Sequence, residues 1–168
     1  MILIRTILAV SLVVMGSIAQ AQSQSNLMQA TATQSSLDQL GRSIVKQKCS
    51  QPQKFHTKPT QNQHDPSVSD EIQTYSCHGF DITLYKANAV TPFRELPLSL
   101  EMYSSHPKLG KRLSVGASAL SVRAELGAPQ KMDGENLVYD LSETMDDTVT
   151  FKVSHDRVKS IVWSWDVD

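Results

Sequence analysis

The two cysteines are the residues of this chain that are best suited to chemistry. Cys49 and Cys77 are the only cysteines among 168 residues, and they can form a disulfide or leave a reactive thiol. His78 follows Cys77, and an adjacent imidazole can lower the pKa of a thiol. Neighbouring residues of a strand point to opposite faces, however, and an oxidising compartment would consume a free pair. We therefore expect a Cys49–Cys77 disulfide.

No other pattern predicts catalysis or metal binding. Ser118 lies in Gly116-Ala-Ser-Ala-Leu120, but the nucleophile elbow of a hydrolase needs glycine where Leu120 stands. The histidines lack the close pairing of metal sites, and the acids near the turns lack the glycine-centred spacing of a calcium loop. An acidic face for a basic partner is an alternative role for these acids. We expect no catalytic residue, no metal site and no cofactor. The residues concerned are His56, His64, His78, His106, His155, Asp146, Asp147 and Asp156.

Aromatic residues are the second candidate for function. Trp163 and Trp165 alternate with Ser164 and Asp166, so both indoles should project from one face of the last strand. That stripe can pack in the core against the preceding strand. If exposed, it would instead bind a protein or a sugar. The candidate interface residues are Trp163, Trp165, Tyr139, Tyr75 and Tyr85.

The start of the chain has the form of a secretory signal. Arg5 precedes an apolar run from Ile7 to Ile18, and the small-residue site Ala19-Gln-Ala21 follows. We expect cleavage after Ala21, and hence a periplasmic or secreted protein. Gln22 stands where a bacterial lipid anchor would need cysteine, and no later apolar stretch reaches the ~20 residues of a membrane span. We therefore expect neither a lipid anchor nor a membrane span after processing.

Charge argues against a nucleic-acid partner. The chain has 16 basic and 17 acidic residues, a net charge of −1. Nucleic-acid binding favours a basic excess. We expect the partner to be another protein.

The first half should contain one helix and three strands. Residues 22–34 are too polar to order and are predicted to be a flexible lead. Ser36 and Gln39 form a capping box, which predicts a helix that runs to about Cys49. Residues 50–70, with three prolines, are predicted to be an irregular loop. Strands should follow at 71–77, 80–85 and 96–102, with Pro97 at a strand start or on an edge. We assign this N-terminal unit to residues 35–112.

The second half has clearer signals for the start and end of its helix and for its hairpin turn. Ser118 should cap a helix that ends at Leu126, where Gly127 is the C-terminal cap and Pro129 the stop. Three strands should follow at 137–141, 148–153 and 158–167, with a tight turn at 155–156. This unit spans residues 113–168.

The two halves predict an α+β fold with short helices on an antiparallel sheet. Each half is predicted to be a helix followed by three strands. Both helices end in similar four-residue motifs, which finish at Pro52 and at Pro129. The distances from these prolines to the next tyrosine, Tyr75 and Tyr139, differ between the halves. Two tandem helix-plus-three-strand units and chance similarity are both open alternatives.

The C-terminal third resembles a family of bacterial envelope proteins. Its pattern is Gly116-Ala-Ser118, Leu126-Gly-Ala-Pro129, Tyr139, Val149-Thr-Phe151 and Val158 to Trp163, which resembles the SmpA/OmlA, or BamE-like, family. The beta-lactamase inhibitor proteins are similar and consist of two such units in tandem. Both families bind proteins rather than catalyse, so the resemblance implies the same here. The chain departs from BamE-like lipoproteins in lacking the anchoring cysteine.

Together these features predict an exported, non-enzymatic protein-binding module of the bacterial envelope. It would act as an inhibitor, an immunity factor or an assembly accessory. The alternative is a protein that binds or hydrolyses cell-wall material or glycans. A hydrolase of that kind needs two positioned carboxylates or a metal triad, and no convincing set of either is present in the sequence.

Overall fold

A computed structural model describes residues 33–62, 64–89, 92, 94–142 and 146–167. The expected signal peptide and residues 22–32 of the expected flexible lead lie outside these ranges. Helix α1 already includes residues 33 and 34, so the lead prediction is wrong for these two residues. Ser36 likewise lies inside the helix, and the prediction that the helix begins there is wrong.

The described chain forms three short helices and eight strands. In chain order they are α1 (33–47), β1 (Lys54–Gln61), β2 (Ser69–Cys77), β3 (Phe80–Ala87), β4 (Arg94–Met102), α2 (Gly110–Leu113), α3 (Ala119–Leu126), β5 (Lys131–Asp133), β6 (Asn136–Asp140), β7 (Thr148–Ser154) and β8 (Arg157–Ser164). A 3-10 turn at Pro107–Leu109 leads into α2.

All eight strands belong to one antiparallel sheet, in the order β1-β2-β3-β4-β8-β7-β6-β5. The α+β prediction is therefore confirmed. Each half supplies a helical segment and a four-stranded meander, rather than the three strands predicted. The two meanders join where β4 pairs with β8. This is the topology that a duplicated unit would give, and duplication stays a hypothesis.

The first missed strand, β1, lies in the segment that was predicted to be irregular. Pro59 is within β1 and pairs in register with Glu71 of β2. The strand tolerates this proline because β1 is at the edge of the sheet, where the backbone groups on the outer side have no neighbouring strand to bond. Proline content alone was thus a misleading signal. The second missed strand, β5, is three residues long and forms the opposite edge.

Pro97 is the fourth residue of β4, so its expected position at a strand start is wrong. The β3–β4 register shifts beside it, because Thr83 pairs with Ser99 while Leu84 pairs with Pro97. Strand β8 pairs with β4 only from Ser99 to Met102. Pro97 therefore has no β8 ladder partner. Since β4 is an interior strand, the expectation of an edge position is also wrong, and the proline is accommodated beside a bulge.

The helix cap, the helix end and the hairpin turn predicted for the second half are confirmed. The Ser118 hydroxyl accepts the Ser121 N–H at 3.1 Å at the start of α3. At the end of the same helix, the Gly127 N–H donates to the Arg123 carbonyl at 2.9 Å. His155 and Asp156 both have positive φ, 54° and 57°, as the two central residues of a type I′ hairpin turn require.

The predicted disulfide is also confirmed. Cys49 follows α1 and Cys77 ends β2, and the two are bonded with Cα atoms 5.9 Å apart. The bond therefore connects the end of α1 to a strand of the first meander. A disulfide is typical of proteins in oxidising compartments, and it is compatible with an exported protein.

One face of the sheet carries the core. Residues that pair across neighbouring strands share a face. A row of five such residues crosses five strands of this face, and each of them is 0% exposed: Ile82, Leu100, Trp163, Val149 and Tyr139. Helix α1 packs on this face. It buries the apolar residues that the helical spacing predicted, Leu37, Ile44 and Val45, with Leu40 partly buried against them.

Candidate functional site

The two tryptophans predicted as interface candidates lie under helix α1. Trp163 is 0% exposed and Trp165 is 4% exposed. The Trp163 indole N–H donates to the Leu37 carbonyl at 3.0 Å, and that of Trp165 donates to the Asp38 carboxylate at 2.8 Å. The core interpretation is therefore the correct one for this stripe. An exposed stripe is excluded in this structure because the helix face around Gly41 occupies that space.

An ionic network fixes α1 over the tryptophans. The Arg42 guanidinium binds Asp38 at 2.9 Å and Asp147 at 2.7 Å, and it lies 5.4 Å from the centre of the Trp165 ring. Asp147 is nearly buried and also accepts the Asp166 N–H at 2.9 Å. This acid therefore has a structural role and does not contribute to an acidic face. The other two turn acids, Asp146 and Asp156, are exposed.

Tyr139 is also a core residue. It is 0% exposed, its ring meets Phe151 edge to face at 5.9 Å, and its hydroxyl donates to the Gly127 carbonyl at 3.2 Å. Burial raises the pKa of Tyr139 to about 12, against a smaller opposing effect of Arg123. The contact ties β6 to the end of α3, and it leaves no free surface for a partner.

The remaining two candidates, Tyr75 and Tyr85, lie on opposite faces of the sheet and are both half-buried. Tyr75 pairs with Ile82 and so shares the core face, whereas Tyr85 pairs with Ile72 on the other face. The Tyr85 hydroxyl donates to the buried Asp70 carboxylate. The Tyr75 hydroxyl donates to the Gln73 side chain at 3.0 Å. The five predicted residues therefore do not form one surface.

The second face of the sheet, which we call the open face, carries a row of five hydroxyl side chains that ends at an aspartate. Residues next to the core pairs point to this side, and the row crosses six strands in register. No described helix lies over it. The row consists of Thr74, Thr83, Ser99, Ser164, Thr148 and Asp140. All of these residues are half-buried or exposed, in contrast to the core row beside them.

A cluster of charged and aromatic residues lies at one end of the open face. Asp81 and Glu101 are directly opposite each other on β3 and β4. The Tyr103 hydroxyl donates to Asp81 at 3.0 Å, and Glu101 accepts from both Lys152 and Ser160 at 2.8 Å. Tyr103 is nevertheless 47% exposed. We refer to these five residues as the tyrosine cluster.

The protonation states of the tyrosine cluster do not favour general acid catalysis by Glu101. Burial tends to raise the pKa of Glu101, but Lys152 and Ser160 outweigh it and hold the pKa below its usual value. Partial burial, the bond to Asp81 and the charge of Glu101 raise the pKa of Tyr103. At neutral pH the carboxylate is therefore ionised and the phenol protonated. A general acid needs a raised carboxyl pKa, and Glu101 has the opposite shift.

Hydrogen bonds also lower the pKa of three other carboxyls. Hydrogen bonds from Ser67 lower the pKa of Asp65, those from Tyr85 and Asn88 lower that of Asp70, and a bond from Gln73 lowers that of Glu71. Within the described ranges, no group of three or more His, Cys, Asp or Glu side chains could hold a metal ion. Two concavities of about 510 and 380 Å³ flank α1. Arg42 and Lys48, which line the smaller one, are already paired with acids.

Comparison with known proteins yields no relative for this chain: no family model, curated protein or solved structure matches it. Among its described helices, none has the length and apolar character to cross a membrane.

The tyrosine cluster was not predicted from the sequence. Tyr103 directly follows the alternating apolar residues that predicted β4. Continuing this alternation places Tyr103 on the face away from the core, and it is the only local signal for that position. Asp81 and Glu101 are 20 positions apart in the sequence, and only the β3–β4 register brings them together.

Proposed function

We propose that this protein is an exported, non-enzymatic protein-binding module that uses the open face of its sheet. The observation that carries the proposal is the position of Tyr103, an exposed aromatic residue whose hydroxyl is already oriented by Asp81. Exposed tyrosines that are held in place are typical of the residues that dominate interface energies. The row of hydroxyls beside it supplies adaptable hydrogen-bonding groups over several strands.

The chemistry of the described residues also favours binding over catalysis. At neutral pH the Glu101 carboxylate is ionised and already paired with Lys152, and the Tyr103 phenol is protonated. The exposed ring and hydroxyl of Tyr103 are suited to contact a partner's apolar and polar side chains. The sequence pattern of the C-terminal third resembles that of SmpA/OmlA proteins, which bind proteins, and the proposal follows that resemblance. We propose the periplasm or the exterior as the location, in the role of an inhibitor, an immunity factor or an assembly accessory.

A capture experiment tests this proposal. The oxidised protein would be immobilised and exposed to envelope extract at physiological salt, and the retained proteins identified by mass spectrometry. The matched baits are Ser164→Arg, at the centre of the open face, and Leu120→Arg, on the 73% exposed Leu120 of α3. A protein that the wild type and Leu120→Arg both retain, and that Ser164→Arg loses, supports the proposal. An empty eluate from the folded wild type would contradict it.

A glycan-binding function is the second candidate, and one surface feature favours it. Phe55 is 53% exposed, and its ring centre is 4.7 Å from that of Tyr75. An exposed aromatic ring can stack on the apolar face of a sugar. Sedimentation with insoluble peptidoglycan tests this alternative: co-sedimentation that Phe55→Ser abolishes would support it, and a protein that stays in the supernatant would exclude it.

A further inference from the structure

The two edges of the sheet differ in their capacity to accept another strand. Strand β5 is three residues long, whereas β1 is eight residues long and pairs with β2 without a register shift. All of its side chains are exposed except that of Thr60, which is half-buried. Nothing in the described part of the chain pairs with its outer side. A regular, uncovered edge of this kind is a template for strand addition.

The backbone groups that face outward can be assigned from the register. The Asn62 N–H donates to the Val68 carbonyl at 3.1 Å, one pair beyond the Gln61–Ser69 pair. Bonded and non-bonded pairs alternate in an antiparallel ladder. The even-numbered residues of β1 therefore bond to β2, and the odd-numbered ones direct their N–H and C=O outward.

The position of Pro59 agrees with this assignment. Pro59 is an odd-numbered residue, so the N–H that proline lacks would have pointed to the outer edge. No hydrogen bond between β1 and β2 is lost at this position. Phe55 and Thr57 therefore carry the free N–H groups of the first half of the edge. Pro59 ends the region that can pair with a new strand.

The side chains of β1 define the chemistry that would fit. Lys54, His56 and Lys58 pair with Ser76, Thr74 and Ile72, so all three lie on the open face of the sheet. Neither lysine has an ion-pair partner within the described ranges, whereas Lys48, Lys86 and Lys152 each bind an acid. Phe55 projects from the opposite face and is 53% exposed.

We propose that the outer edge of β1 binds an extended, acidic segment of another protein as an added antiparallel strand. Its backbone would exchange hydrogen bonds with Phe55 and Thr57. Acidic residues at alternate positions would lie beside Lys54 and Lys58, and an apolar residue between them would contact Phe55. A second copy of this chain is a poor occupant, because pairing β1 with itself would bring like charges together.

Lys54 and Lys58 lie at the margin of the open face, but the strand-addition site is the outer edge of β1, four strands away from Ser164 on β8. This site can therefore fail while the proposed function stands. The probe is a synthetic peptide of about ten residues, close to the length of a typical strand, that alternates glutamate and threonine with one central valine. Its affinity for the oxidised protein would be measured by titration at about 0.15 M salt. A peptide with lysine in place of glutamate serves as the charge control.

Two pairs of variants decide between strand addition and general charge attraction. Thr57→Pro removes one outward N–H without touching the bonds to β2, and should weaken binding roughly tenfold, while Thr57→Val keeps the N–H and the affinity. Lys54→Glu with Lys58→Glu should abolish binding, while Lys108→Glu with Lys111→Glu, an equal charge change elsewhere, should not. The amides of Phe55 and Thr57 should exchange more slowly with the peptide bound.

Three results would overturn the inference. They are a failure of the acidic peptide to bind, equal binding by Thr57→Pro and Thr57→Val, and equal loss of binding in both charge-reversed variants. Thermal melting of each variant shows that it is folded before its affinity is compared.

Discussion

At the scale of residues, a buried glycine of α1 faces the two tryptophans. A Cβ added at Gly41 would lie 2.8 Å from Cδ1 of Trp163 and 2.9 Å from Cζ2 of Trp165. The two indoles are fixed by hydrogen bonds to the same helix and cannot move away freely. Glycine at this position therefore allows α1 to approach the core closely, at the cost of its low helix propensity.

The first prediction follows from this contact. Gly41→Ala should lower the free energy of unfolding by about 1–3 kcal/mol, because overpacking outweighs the gain in helix propensity. Urea unfolding followed by tryptophan fluorescence measures the change. Gln47→Ala, at an exposed position near the end of α1, is the control and should have little effect. A Gly41→Ala protein as stable as the wild type would contradict the packing described here.

The second prediction concerns the buried carboxylate of Asp70. It accepts from the Tyr85 hydroxyl, from the Asn88 N–H at 2.7 Å and from the Asn62 amide at 2.6 Å. These bonds, that from Tyr85 above all, lower the pKa of Asp70. The stability that they confer is complete above the unfolded pKa of about 3.9. It is lost as the pH falls through the lower folded pKa.

Asp70→Asn should therefore make the free energy of unfolding depend less steeply on pH below about 4. Denaturant unfolding over a series of acidic buffers gives the slope. Asp133→Asn, an exposed acid of β5, should leave the slope of the wild type unchanged. Identical slopes for Asp70→Asn and the wild type would show that the hydrogen bonds to Asp70 do not stabilise the fold.

At the scale of elements, the disulfide and the ionic network hold α1 at two places. Cys49 ties the end of the helix to β2, and Arg42 ties its middle to Asp147, just before β7. The helix therefore connects both meanders of the sheet. Removing one attachment should weaken the helix without abolishing the core contacts that remain.

The third prediction tests the covalent attachment. Cys49→Ser with Cys77→Ser should lower the free energy of unfolding by roughly 3 to 4 kcal/mol, because the bond closes a loop between residues 28 positions apart. Urea unfolding with and without reductant measures this. The double variant should be insensitive to reductant. A wild type that is equally stable with and without reductant would contradict the stabilising role of the disulfide.

Local sequence signals predicted most elements of this fold. The cap at Ser118, the stop at Gly127 and the turn at His155 and Asp156 act through neighbouring backbone groups, so the sequence suffices to locate them. Strand β1 was missed because its one proline, Pro59, is tolerated only by its edge position, which is a property of the whole sheet. The start of α1 was misplaced because the capping-box pattern at Ser36 also fits the interior of a helix.

The candidate site could not be predicted for a related reason. The alternation of Trp163 and Trp165 shows that they share a face, but not which face the helix covers. The answer depends on Leu37 and Asp38, which are more than 120 positions away in sequence. The tyrosine cluster likewise exists only through the pairing of β3, β4, β8 and β7.

At the scale of the whole molecule, the two halves share a single sheet and a single core. Helix α1 belongs to the first half by sequence, yet it covers Trp163 and Trp165 of the second half. The helices and core account for one face of the sheet, and the open face is the broad surface that remains. A partner that binds there would not need to displace α1.

Binding through the open face is tested by the affinity of a captured partner for the wild type, Ser164→Arg and Leu120→Arg, measured by calorimetry at physiological salt. Ser164→Arg should weaken binding by about a hundredfold or more, as expected when a charge is placed in the centre of an interface. Leu120→Arg should bind as the wild type does, and all three proteins should melt alike. Undiminished binding by Ser164→Arg, with loss of binding by Leu120→Arg, would place the interface on the helices and contradict binding through the open face.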